Sequence, residues 1–143
     1  MNLTFQSLKA PFLAALIVVG LAAQCNSAYA AATEKAYFAG GCFWCVEADF
    51  EMVTGVKEVV SGYTGGKDAN PTYKQVTRGG TGHYEAVEIQ YDPGKVTYGE
   101  LLHAFFRSVD PTDAGGEFWD RGDCVRTSFF VTYASERASA EAA

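Results

Sequence analysis

Lys35-Ala36-Tyr37-Phe38-Ala39-Gly40-Gly41-Cys42-Phe43-Trp44-Cys45-Val46-Glu47-Ala48-Asp49-Phe50-Glu51-Met52-Val53 changes its hydrophobic period halfway along. The first five residues are an apolar run that reads as a strand over 35–39, stopped by two glycines. From there Phe43, Val46, Phe50 and Val53 recur at the spacing of one helical face, which predicts a helix over 43–53. Cys42 then falls at or near the helix N-terminus, where unpaired backbone N–H groups and the positive end of the dipole stabilise a thiolate. A free thiol titrates near pH ~8.5, and such a position lowers that value by one to several units, whereas apolar burial raises it.

Outward from this stretch, Gly55 closes the helix and 56–61 reads as a second strand. Gly62-Tyr63-Thr64-Gly65-Gly66 reads as a turn-rich loop, and 70–76 as a short helix with Pro71 in its first turn. A third strand is expected over 84–91. Thr97 and Glu100 form a capping box for a helix that carries Leu101, Leu102, Phe105, Phe106 and Val109 inward and ends at Pro111. A fourth strand is expected over 126–133, and the Ala/Ser/Glu-rich tail from Ala134 is weakly helical. Strand-helix-strand twice over is the split βαβ pattern: an α+β, ferredoxin-like two-layer sandwich with one sheet and two main helices on one face. The long segment 62–83 between the halves is a candidate functional loop.

Upstream, Lys9, the apolar run Ala10–Ala23 and Ala28-Tyr29-Ala30 match a secretory signal, with cleavage expected near Ala30. The run is short for a membrane span, so no membrane association is expected after the signal is removed. Residues 31–143 are then one domain, exported and expected in the periplasm. Cys25 is lost on processing, and the three remaining cysteines, Cys42, Cys45 and Cys124, are an odd number in an oxidising compartment. That points to a reactive thiol rather than a fully paired framework. The net charge of −6 and the lack of a basic cluster argue against a nucleic-acid partner.

In the third strand Glu85 shares a face with Val87, Ile89 and Tyr91 by period-two alternation. Glu85 sits either at the edge of that face, in water, or partly buried with a raised pKa, able to donate a proton. The adjoining Gly79-Gly80-Thr81-Gly82-His83 loop, which lets a ligand approach the backbone closely, favours the second. Cys42 and Cys45 form a C-x-x-C pair, which suits a redox disulfide or half a zinc site. With Cys124 and His83 the ligand count reaches four, but neither has paired spacing, and no metal or other cofactor is expected. Phe43 fits the core stripe and Trp44 is off it, free to line a pocket. Tyr63, Tyr73 and Tyr84 put hydroxyls near the glycine loops, and Asp120 reads first as a turn acid paired with Arg121 or Arg126.

Taken together, Gly41-Cys42-Phe43-Trp44-Cys45-Val46-Glu47, Gly62–Gly66, Asn70-Pro71-Thr72-Tyr73, Thr81–Val87, Tyr91-Asp92-Pro93, Asp110-Pro111-Thr112 and Asp120-Arg121-Gly122 resemble peptide methionine sulfoxide reductases of the S-epimer type. The resemblance implies a ferredoxin-like core and roles by position. Cys42 is the nucleophile at the sulfoxide sulfur, Glu85 the acid at its oxygen, and Tyr73 a hydrogen-bond donor to that oxygen. Phe43 and Trp44 wall the S-methyl group, and Asp120 positions water or the substrate backbone. The substrates implied are oxidised proteins bearing methionine sulfoxide, and the reductant a thioredoxin-like dithiol. Cys45 and Cys124 are both candidates to resolve the Cys42 sulfenic acid.

Two positions depart from the family pattern. Val125 stands where a tyrosine is usual, and the family usually continues beyond this chain's last residue, from which a lower melting temperature than a longer relative's is expected. The competing readings are a thioredoxin-like disulfide oxidoreductase, which leaves Glu85 unexplained, and an inactive truncated relative.

Overall fold

The computed structural model describes residues 32–143, which form one contact unit. The expected signal segment lies outside the described residues. Five β-strands and four α-helices position the site: β1 (Glu34–Ala39), α1 (Phe43–Glu51), β2 (Val56–Thr64), α2 (Tyr73–Arg78), β3 (Tyr84–Tyr91), α3 (Tyr98–Ser108), the short β4 (Gly116–Glu117) and β5 (Asp120–Arg121), and α4 (Ala134–Ala142). A further strand, β6 (Ser128–Phe130), precedes α4, and a single 3₁₀ turn spans Asp123–Val125.

The main sheet runs β2-β3-β1-β6, every neighbour antiparallel, with β4 and β5 forming a separate hairpin. Because β3 lies between β1 and β2, the α1 connection crosses over a strand, which is the split βαβ arrangement. The α+β expectation therefore holds, down to two main helices packed on one face.

That face follows from side-chain periodicity. Phe38, Val59, Val87, Ile89 and Tyr91 from the strands meet Phe43, Val46 and Phe50 of α1 and Leu101, Leu102 and Phe105 of α3, all buried. Phe38 is the hub, its ring 4.9 Å from Phe105 and 5.5 Å from Phe50. The capping box of α3 is present as expected: Glu100 N–H donates to Thr97 Oγ1 at 3.2 Å and Thr97 N–H to Glu100 Oε2 at 2.7 Å.

Boundaries moved where pairing outweighed local signals. Gly62, Tyr63 and Thr64, read as a turn, are the end of β2, held by Ala86, Glu85 and Tyr84 across the ladder. α2 starts at Tyr73, capped by Thr72, so Pro71 precedes the cap rather than occupying the first turn. Of the fourth strand expected over 126–133 only Ser128, Phe129 and Phe130 pair, with Ala39, Phe38 and Tyr37 of β1. α1 stops at Glu51 and α3 at Ser108, which leaves Val53 and Val109 packed on the core from outside the helices. Phe106 is only half-buried, its ring set edge-on to Phe129 at 6.3 Å.

Candidate active site

Cys42 is the residue at which the chain turns from strand to helix. It is the N-cap of α1, in extended conformation (φ −61°, ψ 116°), and its carbonyl accepts from the N–H groups of Cys45 and Val46 at 3.0 and 3.3 Å. Gly41 precedes it with φ +88°, a conformation that favours glycine, and a side chain there would also collide with Glu117, whose Cβ would lie 2.8 Å away. The cap therefore sits against the β4–β5 hairpin.

Glu85 comes to the same place from β3. Its face is the core face, and it is 4% exposed. Its Oε2 accepts a 3.3 Å hydrogen bond from Phe43 N–H, one of the unpaired donors at the start of α1. Burial pushes the Glu85 carboxyl above its ordinary value of 4.5, the Phe43 N–H opposes this, and the charge of Asp120 adds to it. Of the two readings of Glu85, the buried one is correct. A carboxyl inclined to keep its proton thus abuts the residue that follows Cys42.

The other sulfurs gather around this pair. Cys45, three residues on and so on the same side of α1, has an exposed residue surface. Its thiol is nevertheless pushed up, first by desolvation, then by the charge of and a hydrogen bond with Cys42, with Asp120 and Asp49 adding to it. Cys124 is half-buried in the 3₁₀ turn, its thiol raised by burial and then by the charge of Glu85. Cys124 also lines a cleft of about 230 Å³ with Val76, the Gly79–His83 loop and Arg126.

One tyrosine faces the same carboxyl, and a second stands near the first. Tyr63 lies directly across the ladder from Glu85, and its ring is 5.7 Å from that of Phe43. Burial raises the Tyr63 hydroxyl, followed by the charges of Glu85, Tyr73 and Cys124. Tyr73, the first residue of α2, is half open to solvent and joins the cluster through Tyr63. Trp44 is 65% exposed and its ring lies 5.3 Å from that of Phe43, which is itself in the core.

Asp120 departs from its first reading as a paired turn acid. Arg121 pairs instead with Asp113, and Arg126 with Asp123, so among the described residues Asp120 bears no ion pair and acts on Glu85 and Cys45. His83 is a loop staple: Gly66 N–H donates to Nδ1 at 3.3 Å, and Nε2 is 2.9 Å from the Asp68 carbonyl. Both ring nitrogens are thereby engaged within the loop. Tyr84 is turned aside, its hydroxyl accepting from Arg126 at 3.1 Å. Val125 is buried and brings no hydroxyl.

Sequence reasoning left two residues out of the site. Tyr63 reads from sequence as one of three hydroxyls near the glycine loops with no assigned role, and only the β2–β3 register puts it opposite Glu85. Glu117, 4% exposed, accepts from Asp110 N–H and Thr127 Oγ1, both at 2.8 Å, and so braces the hairpin under Gly41. The positive φ of Gly41 is invisible in the sequence, although the double glycine before Cys42 marks a close approach of some kind.

Comparison with known proteins agrees with this geometry. Residues 34–143 match the family model described as peptide methionine sulfoxide reductase. A peptide methionine sulfoxide reductase MsrA 2 of Caulobacter vibrioides is 53% identical over 136 residues, covering 92% of this chain and 68% of the relative. An MsrA of Listeria innocua is 52% identical over 108 residues, covering 76% of this chain and 61% of the relative. Among solved structures, methionine sulfoxide reductase A of Corynebacterium diphtheriae superposes with a TM-score of 0.71 at 32% identity, over 77% of this chain and 55% of that one. The chain thus spans from just over half to about two thirds of the length of these proteins. With its sheet order, its Cys42 cap and its buried Glu85 in place, the chain belongs to the peptide methionine sulfoxide reductase family.

Proposed function

We propose that this chain reduces methionine (S)-sulfoxide in oxidised proteins back to methionine, with Cys42 as nucleophile and Glu85 as acid. The observation that carries this reading is the buried Glu85 carboxyl, raised in pKa and hydrogen-bonded to the first N–H of the helix that Cys42 caps. A sulfoxide sulfur is a poor electrophile until its oxygen is protonated or strongly hydrogen-bonded. A neutral carboxylic acid beside a helix-capping thiol supplies both halves of the reaction.

The Cys42 thiolate forms a bond to the sulfoxide sulfur as the oxygen takes the Glu85 proton. Transfer of that oxygen to Cys42 releases methionine and leaves a Cys42 sulfenic acid. Tyr73 and Tyr63 flank the oxygen as hydrogen-bond donors, Phe43 and Trp44 wall the methyl group, and Asp120 positions water or the substrate backbone. The Cys45 thiol, close enough to Cys42 for the two to influence each other's charge, condenses with the sulfenic acid to a disulfide and water, with Cys124 the second candidate. An external thioredoxin-like dithiol then returns both cysteines to thiols. The segment before residue 31 supports export to the periplasm, on its sequence pattern.

The test is a single turnover without recycling reductant. The protein should yield about one equivalent of methionine, and Cys42→Ser none. Cys45→Ser should keep that first turnover while losing recycling. No methionine from the unaltered protein would instead support an inactive relative or, where the protein exchanges disulfides and Cys45→Ser abolishes that exchange, a disulfide oxidoreductase.

A further inference from the structure

We propose that the tip of the β4–β5 hairpin, Phe118 and Trp119, is a clamp for the polypeptide on either side of an oxidised methionine. This rests on the proposed reaction at Cys42 and goes on to the form of substrate taken.

Glu117 pairs with Asp120, so Phe118 and Trp119 are the two central residues of a tight hairpin turn. The first central position of such a turn requires positive φ and ordinarily takes glycine. Here it is Phe118, at φ +47°, which for a bulky residue is a strained conformation. The ring gains nothing in the core, since Phe118 is 62% and Trp119 95% exposed. The turn is also held in place. Arg121 donates to the Phe118 carbonyl at 2.6 Å and pairs with Asp113, while Glu117 anchors the hairpin base to Asp110 and Thr127. Two rings are thus kept out in water on a braced support, at a cost in backbone strain that folding does not need.

Their location identifies the occupant. The hairpin packs on Gly41, and the residue after the tip, Asp120, acts electrostatically on both Glu85 and Cys45. A methionine sulfoxide within a protein has chain on both sides, and that chain must cross this rim for the side chain to reach Cys42. Phe118 and Trp119 offer it flat apolar surface, with exposed Trp44 on α1 beside Cys42. Asp120 and Asp49 add negative charge at the mouth and favour lysine or arginine near the oxidised residue. The ligand class is an extended segment of apolar and basic residues; free methionine sulfoxide has no flanking chain for the clamp to hold.

The experiment compares Phe118→Gly and Trp119→Ala with the unaltered chain on two substrates. One is a peptide of leucines and lysines around a central methionine (S)-sulfoxide, the other the free amino acid sulfoxide. In parallel, a dye-labelled copy of the peptide is titrated into Cys42→Ser protein with and without each change. Each variant should lower kcat/KM on the peptide about ten-fold, through KM, leave the free amino acid within about two-fold, and weaken peptide binding to the same extent. Phe118→Gly should keep or raise the melting temperature, which separates a ligand-binding ring from a structural one. Unchanged peptide affinity in both variants, or equal losses on both substrates, would overturn the clamp. Should the unaltered chain reduce neither substrate, the proposed reaction fails, while the binding titration still decides the clamp.

Discussion

A carboxyl buried on the core face of a strand is ordinarily a defect, and Glu85 is tolerated because a single backbone donor, Phe43 N–H, meets it. That donor is too little to hold the group ionised against desolvation, so its pKa moves up. Glu85→Gln keeps the shape and a hydrogen-bonding group but has no acid proton. We expect kcat to fall by about 10²–10⁴-fold, and the alkaline limb of the pH–rate profile set by Glu85 to disappear, as measured by steady-state assays from pH 5 to 9. A limb unchanged in the variant would assign it to another group. Tyr63→Phe tests the residue that the ladder register brought into the site. Loss of one donor to the sulfoxide oxygen should lower kcat by about ten-fold or more with little change in melting temperature.

At the scale of elements, two local devices place the site. The capping box at Thr97 fixes where α3 begins and hence which of its residues reach Phe38. Thr97→Ala should destabilise the protein by about 1 kcal/mol, read from the urea midpoint at unchanged slope. The second device is the joint between the loop after β2 and the loop before β3. A methyl on Gly66 would overlap the His83 imidazole, which bonds Gly66 N–H and Asp68. Gly66→Ala therefore has to displace the ring and free both loops. We expect about 1–3 kcal/mol of lost stability and faster amide exchange across 65–83, with α1 and α3 unaffected. Protection that stays uniform would show the staple to be dispensable.

Over the whole molecule the buried carboxyl leaves a pH signature. Unfolded, Glu85 titrates near its ordinary 4.5; folded, it titrates higher. Below the lower value it is protonated in both states. As pH rises through the folded value the native state has to hold a buried negative charge, and stability is lost. Glu85→Gln lacks this term, so its stability relative to the unaltered chain should grow from about pH 4.5 through the folded pKa and then level off, measured by urea unfolding at a series of pH values. A difference independent of pH would mean that Glu85 titrates alike in both states. The order of the four main strands and the helices between them, the core face of β3, the cap of α3 and the placing of Cys42 at a strand-to-helix joint were legible in the chain, because each depends on the period of apolar residues or on a capping pair a few positions apart; the two-residue strands of the β4–β5 hairpin are too short to show a period and were not. The turn signal in Gly62–Thr64 misled because ladder pairing with Tyr84–Ala86 outweighs local preference. Asp120 misled because its arginine neighbours pair with other nearby carboxylates, Arg121 with Asp113 and Arg126 with Asp123. Tyr63 opposite Glu85, Glu117 beneath Gly41 and the Cys124 thiol within reach of the Glu85 charge are juxtapositions of residues far apart in sequence, and only the register of the sheet and the docking of the hairpin bring them together.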